Sequence, residues 1–492
     1  MFAIALTCAV GCDGAGKPKP DAGKPEAGTP DAGQPDAGKP DAGQPVVLQR
    51  MTVEQLQDPE TCRTCHPKHY DEWASSMHAY ASADPVFIAM NKRGQRETSG
   101  ELGKFCVQCH APMALRKGLT TDGLNLAELP KAVQGVTCYF CHNAVEAGPD
   151  HFNANLTLAN DQTMRGSLRN PVDPGVHGVA YSESHDSLSM KSSIMCGTCH
   201  DVVNDKGAHI ERTFDEYASS IHSIARSGKS GGDSCQGCHM AWRETDFIAN
   251  VPSLPLQKRD RHDHRMPGVD VALTDFPDRE KHRHATECAL SEDGAYVFEI
   301  INDGQGGFDV ALETTAGHAQ PSGTAQDRRM WLQFVAYDDA DKVIYQSGVF
   351  ADDELESVPP GDPKYDPQLC MFRDHFEDEA GKEVHMFWEA AQKNMQTSKL
   401  LPVALDSKSR HLSICKYRIP GRVQPARVEM FLRMRPVGLD VLNDLVASGD
   451  LDPAVLREMP TFTLHSTHVE WRKEDGGSLL MPLAKPLPIT CP

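Results

Sequence analysis

The sequence CRTCH at residues 62–66 has two cysteines separated by two residues and followed at once by a histidine. The same C-x-x-C-H pattern begins again at Cys106, Cys138, Cys196 and Cys235, so five copies, numbered I to V in chain order, lie in the N-terminal half. The chain has 16 cysteines and 22 histidines in 492 residues. That composition predicts roughly 0.02 copies by chance, so the pattern is not accidental.

C-x-x-C-H is the attachment sequence of c-type haem. The two thiols add to the vinyl groups of the porphyrin, and the adjacent histidine binds the iron as its proximal ligand. A zinc site or a redox dithiol would use the C-x-x-C pair, but neither explains a histidine after every pair. The sequence therefore predicts five covalently bound haem c groups. The predicted residues are Cys62, Cys65 and His66 (I), Cys106, Cys109 and His110 (II), Cys138, Cys141 and His142 (III), Cys196, Cys199 and His200 (IV), and Cys235, Cys238 and His239 (V).

The five motifs leave little protein for each haem. They lie within residues 62–239, roughly 36 residues per motif, which is too few to surround each macrocycle with its own side-chain core. The haems must therefore contact one another, and close contact is what electron transfer requires. Segments rich in Gly, Ser and Asp favour irregular loops between helices. We predict a mainly helical and irregular pentahaem domain over residues 51–287.

The sequence pattern changes after residue 288. Six segments alternate apolar and polar residues between turn residues, which is typical of a β-sandwich. They are AYVFEIINDG at 295–304, FDVALETT at 308–315, RRMWLQFVAYDD at 328–339, KVIYQSGVF at 342–350, ARVEMFLRMRP at 426–436 and TFTLHSTHVEWR at 461–472. A helical insert is predicted at 438–459. The predicted fold class is therefore α+β multidomain, with a β-sandwich-like domain over residues 288–492.

The N-terminal end contains two further segments. Residues 1–12, MFAIALTCAVGC, are apolar and resemble the end of a lipoprotein signal in which Cys12 is lipidated. A plain secretory signal is the alternative. Residues 13–50 contain DAGKP-type pentapeptides with few apolar side chains, which predicts a disordered linker. Because c-type haem is attached outside the bacterial inner membrane, we expect an exported protein, periplasmic or at the cell surface, anchored by lipid.

A twelve-residue phrase occurs twice, as YDEWASSMHAYA at 70–81 and FDEYASSIHSIA at 214–225. Its apolar residues recur at helical spacing, which predicts one amphipathic helix with His78 or His222 at the edge of the apolar face. Each phrase lies between two C-x-x-C-H motifs. A haem iron takes a second axial ligand, and histidine suits low-potential centres. We therefore predict that His78 and His222 are distal ligands, with a purely structural repeat as the alternative.

Other histidines are also candidate distal ligands, because 17 of the 22 lie outside the motifs. His185 precedes motif IV, and His264 and His318 lie in turn-rich segments that are able to fold back onto the haems. The support for His151, His177 and His209 is weaker. His262, His282 and His284 form a basic cluster that we expect to be solvated or to lie near haem propionates.

The sequence resembles the multihaem c-type cytochromes related to the tetrahaem cytochrome c-554, whose haem packing recurs in hydroxylamine oxidoreductase and pentahaem nitrite reductase. The matching elements are the C-x-x-C-H motifs, W-x-S-x-x-H-A at 73–79 and GVTCYFCH at 135–142. GHAQPSG at 317–323, followed by RRMWLQF, resembles the start of the β-domain behind the haems in such cytochromes. The resemblance implies bis-histidine haems in stacked or perpendicular pairs, and electron transfer. This chain departs by having five motifs and by lacking the C-x-x-C-K motif of the nitrite reductases.

Four cysteines of the C-terminal part lie outside the motifs: Cys288, Cys370, Cys415 and Cys491. In a chain expected to be exported they predict one or two disulfides. Three pairings are formally open. We favour Cys370 with Cys415 and Cys288 with Cys491, the second closing the two ends of the domain, and single thiols are the alternative.

The favoured function is a non-catalytic electron carrier that exchanges electrons with redox partner proteins of the periplasm or membrane. The alternative is an oxidoreductase that acts on a small nitrogen or sulfur compound at a haem without a distal ligand. A formal charge of −20 argues against nucleic acid as a partner.

We expect the intact mass to exceed that of the apoprotein by five haem groups, because thioether bonds survive acid extraction. Cys138→Ala should remove one haem. Electrospray mass spectrometry of the mature protein measures both, and four or fewer haems in the unaltered protein would contradict the motif assignment.

Overall fold

Short helices separated by turns make up most of the chain before residue 143 in the computed structural model. Local signals start them: Thr52 forms a capping box, and Asp58 and Asp84 are N-caps followed directly by proline. The helices are α1 Val53–Leu56, α2 Pro59–Arg63, α3 Pro67–Ala74, α4 Met77–Tyr80, α5 Pro85–Glu97, α6 Val107–His110, α7 Pro112–Arg116 and α8 Cys138–His142, with 3₁₀ turns at Leu126–Glu128 and Lys131–Val133.

The structure describes residues 49–148, 150–224, 234–251, 256–292, 294–351, 358, 360–405 and 411–491. Cys12 and nearly all of the predicted linker over residues 13–50 lie outside these ranges, so the expectations for them stay predictions. In the described ranges no helix combines the length and the apolar character needed to cross a bilayer.

Small two-stranded sheets alternate with helices between residues 144 and 262, and the sequence did not predict them. The paired strands are β1 Ala144–Ala147 with β2 Leu156–Leu158, β3 Thr163–Gly166 with β4 Gly178–Tyr181, β5 Val202–Val203 with β6 His209–Glu211, and β7 Trp242–Asp246 with β8 Arg259–His262. Only the β3–β4 pair is parallel among these. The helices here are α9 Met190–Gly197, α10 Thr213–Ala218 and α11 Cys235–His239, with 3₁₀ turns at Glu183–His185 and Ile221–Ser223.

The repeated phrase is not one continuous helix, so that prediction is wrong. In the first copy α3 ends at Ala74 and α4 begins after Ser76. The backbone of Ser76 is extended (φ −79°, ψ 160°), and its side chain accepts a hydrogen bond from the amide of Ala79. In the second copy Ser220 is extended in the same way (φ −95°, ψ 161°) between α10 and a 3₁₀ turn. Serine hydroxyls compete with helical hydrogen bonds and favour caps, so the Ser-Ser pair shared by both copies explains the break.

The C-terminal part contains two packed antiparallel sheets, as the strand pattern predicted. One sheet has the order β16–β10–β9–β19, and the other has the order β12–β11–β17–β18, with β13 also pairing with β11. The strands are β9 Ala295–Asn302, β10 Gly307–Thr314, β11 Arg329–Tyr337, β12 Val343–Ser347, β13 Cys370–Phe372, β16 Ser413–Arg418, β17 Arg427–Arg435, β18 Phe462–Arg472 and β19 Ser478–Leu480, and a separate small pair is β14 Asp374–His375 with β15 Gln396–Thr397. Buried side chains from both sheets, among them Phe308, Phe334 and Trp471, form one core.

The helical insert joins the two parts of the fold. It forms α13 Leu439–Ala447 and α14 Val455–Glu458. Val441, Leu442 and Leu445 of α13 pack with Val86 and Met90 of α5 in one buried cluster. Arg96 of α5 also donates two hydrogen bonds of 2.6 Å to the carboxylate of Asp450.

Helix α12, Arg279–Glu292, packs against β18 and contains the predicted domain boundary between residues 287 and 288. Two disulfides are present in the C-terminal part, Cys288–Cys491 and Cys370–Cys415. The first ties α12 to the C-terminal segment, and the second ties β13 to β16. The described chain is therefore crosslinked where the two sheets and the preceding helix meet.

Removing Cys288–Cys491, which joins residues 203 apart, should cost more stability than removing Cys370–Cys415, whose residues are 45 apart. A crosslink restricts the unfolded chain more when it closes a longer loop, and losses of about 2–5 kcal/mol are typical. Thermal unfolding followed by circular dichroism of the two Cys→Ser double variants measures the order. Equal melting temperatures in both variants and the parent would contradict it.

Candidate haem-binding site

Each C-x-x-C-H motif folds as one helical turn. The histidine amide donates to the carbonyl of the first cysteine, with N–O distances of 2.8 Å in motif I, 3.2 Å in motif II and 3.1 Å in motif IV. Motifs III and V lie wholly inside the short helices α8 and α11. One turn therefore brings both thiols and the imidazole of a motif together, as attachment to a single porphyrin requires. Nine of the ten cysteines are half-buried and Cys238 is exposed.

All five proximal imidazoles have their Nδ1 atom occupied by the protein. Four of them donate Nδ1–H to a backbone carbonyl: His66 to Ile248 at 2.6 Å, His110 to Ala81 at 2.9 Å, His142 to Arg165 at 2.5 Å and His239 to Pro267 at 2.8 Å. His200 instead donates to the carboxylate of Glu211 at 3.1 Å. A ring that donates from Nδ1 keeps its Nε2 lone pair for a metal.

Four of the five proximal rings face a second histidine ring, and the distance between ring centroids is similar in all four pairs. The centroid separations are 6.4 Å for His66 and His177, 6.2 Å for His200 and His78, 6.2 Å for His142 and His264, and 6.1 Å for His239 and His318. The ring planes of His78 and His200 cross at 71°. The planes in the other three pairs differ by 14° to 36°.

These separations fit an iron ion between the rings. Two imidazoles that each bind one metal at about 2 Å place their ring centroids about 6 Å apart. The facing rings also have the required tautomer, because Nδ1 of His177, His264 and His318 donates to a backbone carbonyl at 2.9–3.0 Å and the Nε2 lone pair is left for a metal. In His78, Nδ1 contacts the sulfur of Met266 at 3.1 Å. The residues present therefore fit bis-histidine haem ligation at four of the five motifs.

Burial keeps several of these imidazoles neutral, and a neutral ring is the form that binds a metal. Burial and the nearby His200 lower the pKa of His78 to about 4. Burial and His142 lower the pKa of His264 to about 3. For His239, burial and His318 lower the pKa to about 4. Burial lowers the pKa of His200 as well, but the hydrogen bond and charge of Glu211 outweigh it and raise this pKa to about 9.

His78 is held in place by the segment before motif III. The amide of Val136 donates to the carbonyl of His78 at 2.8 Å, and Trp73 Nε1 donates to the carbonyl of Val136 at 2.8 Å. Gly135 has φ +66°, and a Cβ there would lie 2.6 Å from the carbonyl oxygen of His78. The segments W-x-S-x-x-H-A at 73–79 and GVTCYFCH at 135–142 are therefore hydrogen-bonded to each other.

The glutamate shared by the two copies of the repeated phrase has the same role in both. Glu72 accepts the backbone N–H of His264 at 3.2 Å and pairs with Arg261. Glu216 accepts a hydrogen bond of 3.1 Å from the backbone N–H of Ala319, the residue after His318. The carboxylate of Glu216 also forms an ion pair with Lys399. Each copy therefore anchors the returning segment that contains a facing histidine.

The remaining predicted ligands have other surroundings. His185 is buried and lies 5.4 Å from His142, but its Nε2 is bonded to the carbonyl oxygen of Cys141 at 2.9 Å. His222 packs against Gly317. Both assignments stay predictions. His110 stacks on Phe87 at 4.0 Å, and no second histidine ring faces it among the residues that the structure describes.

Two residues were undervalued in the sequence. His177, a weak candidate, faces His66 because the parallel pairing of β3 with β4 brings residue 178 next to Thr163. His282 is 1% exposed and not solvated as expected. Neither of its ring nitrogens makes a hydrogen bond of normal geometry in the described ranges. Burial lowers the pKa of His282, and the nearby backbone of Asp270 opposes this shift.

Two comparisons with known proteins found similar haem proteins. The profile of the family "Cytochrome c554 and c-prime" matches residues 61–143. The crystal structure of a penta-heme cytochrome c552 from Thermochromatium tepidum is similar in fold, with a TM-score of 0.54 and 20% sequence identity. The alignment covers 86% of this chain and 99% of that one. No curated protein sequence matches significantly.

The two matches and the five motifs support a multihaem c-type cytochrome with covalently bound haem c, as the resemblance predicted. They also support electron transfer as the general function. The mixed α+β fold, with helices before residue 143 and sheets in the C-terminal part, agrees with the predicted class.

Gly135→Ala should displace His78, because a Cβ cannot lie 2.6 Å from a carbonyl oxygen and a left-handed backbone costs a non-glycine residue about 1–3 kcal/mol. We expect a lower melting temperature and partial conversion of one haem from low to high spin. Optical and EPR spectra measure the change. Gly166→Ala is the control, because a Cβ at Gly166 meets no atom within 4 Å, and identical spectra in the two variants would contradict the role of Gly135.

Proposed function

We propose that the chain is an exported pentahaem electron carrier whose haems are mostly bis-histidine. The observation that carries this proposal is the set of four facing imidazole pairs at 6.1–6.4 Å. Histidine on both sides of an iron favours low reduction potential and leaves no position for substrate. Both properties suit a carrier better than a catalyst.

The proposed distal ligands are one histidine for each of four motifs. His69 also lies 6.0 Å from His66, but it follows His66 by only three residues in the same chain segment, so His177 is the better partner. For His142 we prefer His264 to His185, because Nε2 of His185 is already bonded to a carbonyl. The proposed pairs are His66/His177 (haem I), His142/His264 (III), His200/His78 (IV) and His239/His318 (V).

Cysteines of different motifs lie close together, and this proximity supports an order of the haems. Cys62 lies near Cys138, which supports contact between haems I and III. Cys199 of motif IV lies near Cys109 of motif II. Cys196 of motif IV lies near Cys235 of motif V.

Cys141 of motif III lies near Cys199 of motif IV, which supports contact between haems III and IV. These contacts support an electron path I–III–IV–V, with haem II attached at haem IV. Each bound haem would exchange one electron with its neighbours, and the protein would supply ligands, spacing and burial.

A second candidate function rests on haem II. No histidine ring faces His110 among the described residues, and an iron bound by His110 alone would be able to take an external ligand. An oxidoreductase acting on a small nitrogen or sulfur compound would use such a position. This second function requires catalytic turnover of a substrate at haem II, whereas an electron carrier requires no turnover there.

The cellular setting remains a proposal that the sequence supports. Covalent haem attachment outside the inner membrane supports export to the periplasm or cell surface, with a membrane anchor at a lipidated Cys12. The partners proposed are redox proteins of the periplasm or membrane, and the formal charge of −20 favours a basic docking surface on them.

The EPR spectrum of the oxidised protein should show signals from four low-spin haems and one high-spin haem. Carbon monoxide should bind to one haem in each reduced chain. His78→Gly should raise the high-spin count to two without loss of haem, because it removes one ligand of haem IV. His465→Gly, on β18, is the control and should change neither count. Unchanged spectra for His78→Gly would contradict the ligand pairs, and rapid turnover of nitrite or hydroxylamine would favour the second function.

A further inference from the structure

One proximal histidine has a different kind of partner from the other four. Nδ1 of His66, His110, His142 and His239 donates to neutral carbonyl oxygens. His200 donates to the Glu211 carboxylate at 3.1 Å, and in the part of the chain that the structure describes it is the one proximal ring hydrogen-bonded to an acidic side chain.

Glu211 is fixed where it meets His200. It is the last residue of β6, and its side chain is 14% exposed. The hydroxyl of Thr213 donates to the same carboxylate oxygen at 3.3 Å. The two hydrogen bonds that this oxygen accepts favour the charged form of the carboxylate.

A carboxylate behind a metal-bound imidazole changes the metal. A charged acceptor makes a stronger hydrogen bond than a neutral carbonyl, draws the Nδ1 proton away and makes the imidazole a stronger electron donor. A more electron-rich ligand stabilises ferric iron relative to ferrous iron. Axial ligands and their hydrogen bonds are the main means by which a protein sets a haem potential.

We propose that Glu211 is a positioning residue for His200 that lowers the reduction potential of haem IV. This inference rests on the proposed ligation of haem IV by His200 and His78. Haem IV would be the junction of the proposed path, because the cysteines of its motif lie near those of motifs II, III and V. A haem whose reduction potential is lower than that of its neighbours does not retain an electron. Electrons that reach haem IV would therefore pass on to the neighbouring haems.

The test is Glu211→Gln, which keeps an oxygen acceptor of the same length and removes the charge. Spectroelectrochemical titration should resolve five one-electron components in the unaltered protein, and one of them should move to higher potential in the variant. Glu211→Asp, which keeps the charge, should shift that component less. Glu429→Gln is the matched control, because Glu429 accepts from His468 at 2.7 Å on β17, outside the motifs, and it should move none.

The component that moves should be the one that becomes high-spin in His78→Gly. Five unchanged potentials in Glu211→Gln, with five haems bound by mass, would overturn the role of Glu211 and leave the carrier proposal intact. A larger shift in the Asp variant than in the Gln variant would also overturn it, because that order indicates a role for length and not for charge. Fewer than five haems in the unaltered protein would instead contradict the proposed function.

Discussion

The hydrogen bond from imidazole Nδ1 to the protein is the interaction on which this structure depends. It fixes the tautomer and aims Nε2 at the space where an iron fits. Eight of the nine rings assigned to haems donate to a backbone carbonyl or a carboxylate, and His78 contacts a methionine sulfur. Most of these acceptors lie between residues 144 and 267, in small sheets and loops. These irregular segments therefore hold the imidazoles in place, and the short neighbouring helices depend on tertiary contacts for their stability.

The repeated phrase acquires a physical meaning from this arrangement. Its histidine was the obvious shared feature, and in the first copy His78 faces His200 at the distance of an iron-bridged pair. The shared glutamate has the more regular role, since Glu72 and Glu216 each accept a backbone N–H from a segment with a facing histidine. Those segments, around His264 and His318, are distant in sequence from the phrases that hold them. The repeat is therefore a duplicated support for the segments that contain His264 and His318.

The sequence predicted whatever depends on short-range patterns. The C-x-x-C-H turns, the six main strands and the helical insert are local, and His264 and His318 could be named because turn-rich segments are able to fold back. The pairing of His177 with His66 could not be predicted, because it depends on a parallel strand pair whose register is set by tertiary contacts. Burial of His282 was missed because charged neighbours suggested a solvated surface. The partner of His200 also depends on long-range placement, since Glu211 reaches it only through the β5–β6 pairing.

We propose above all that four irons lie between paired histidines and that a fifth is bound by His110. Anomalous X-ray scattering at the iron edge from crystals of the haem-loaded protein measures this most directly, because it locates each iron without reference to the porphyrin. We expect five iron peaks, four of them between the rings of His66/His177, His142/His264, His200/His78 and His239/His318, and one beside His110. An iron bound by His185 or His222 in place of one of these paired histidines, or fewer than four irons between the pairs, would contradict the proposal.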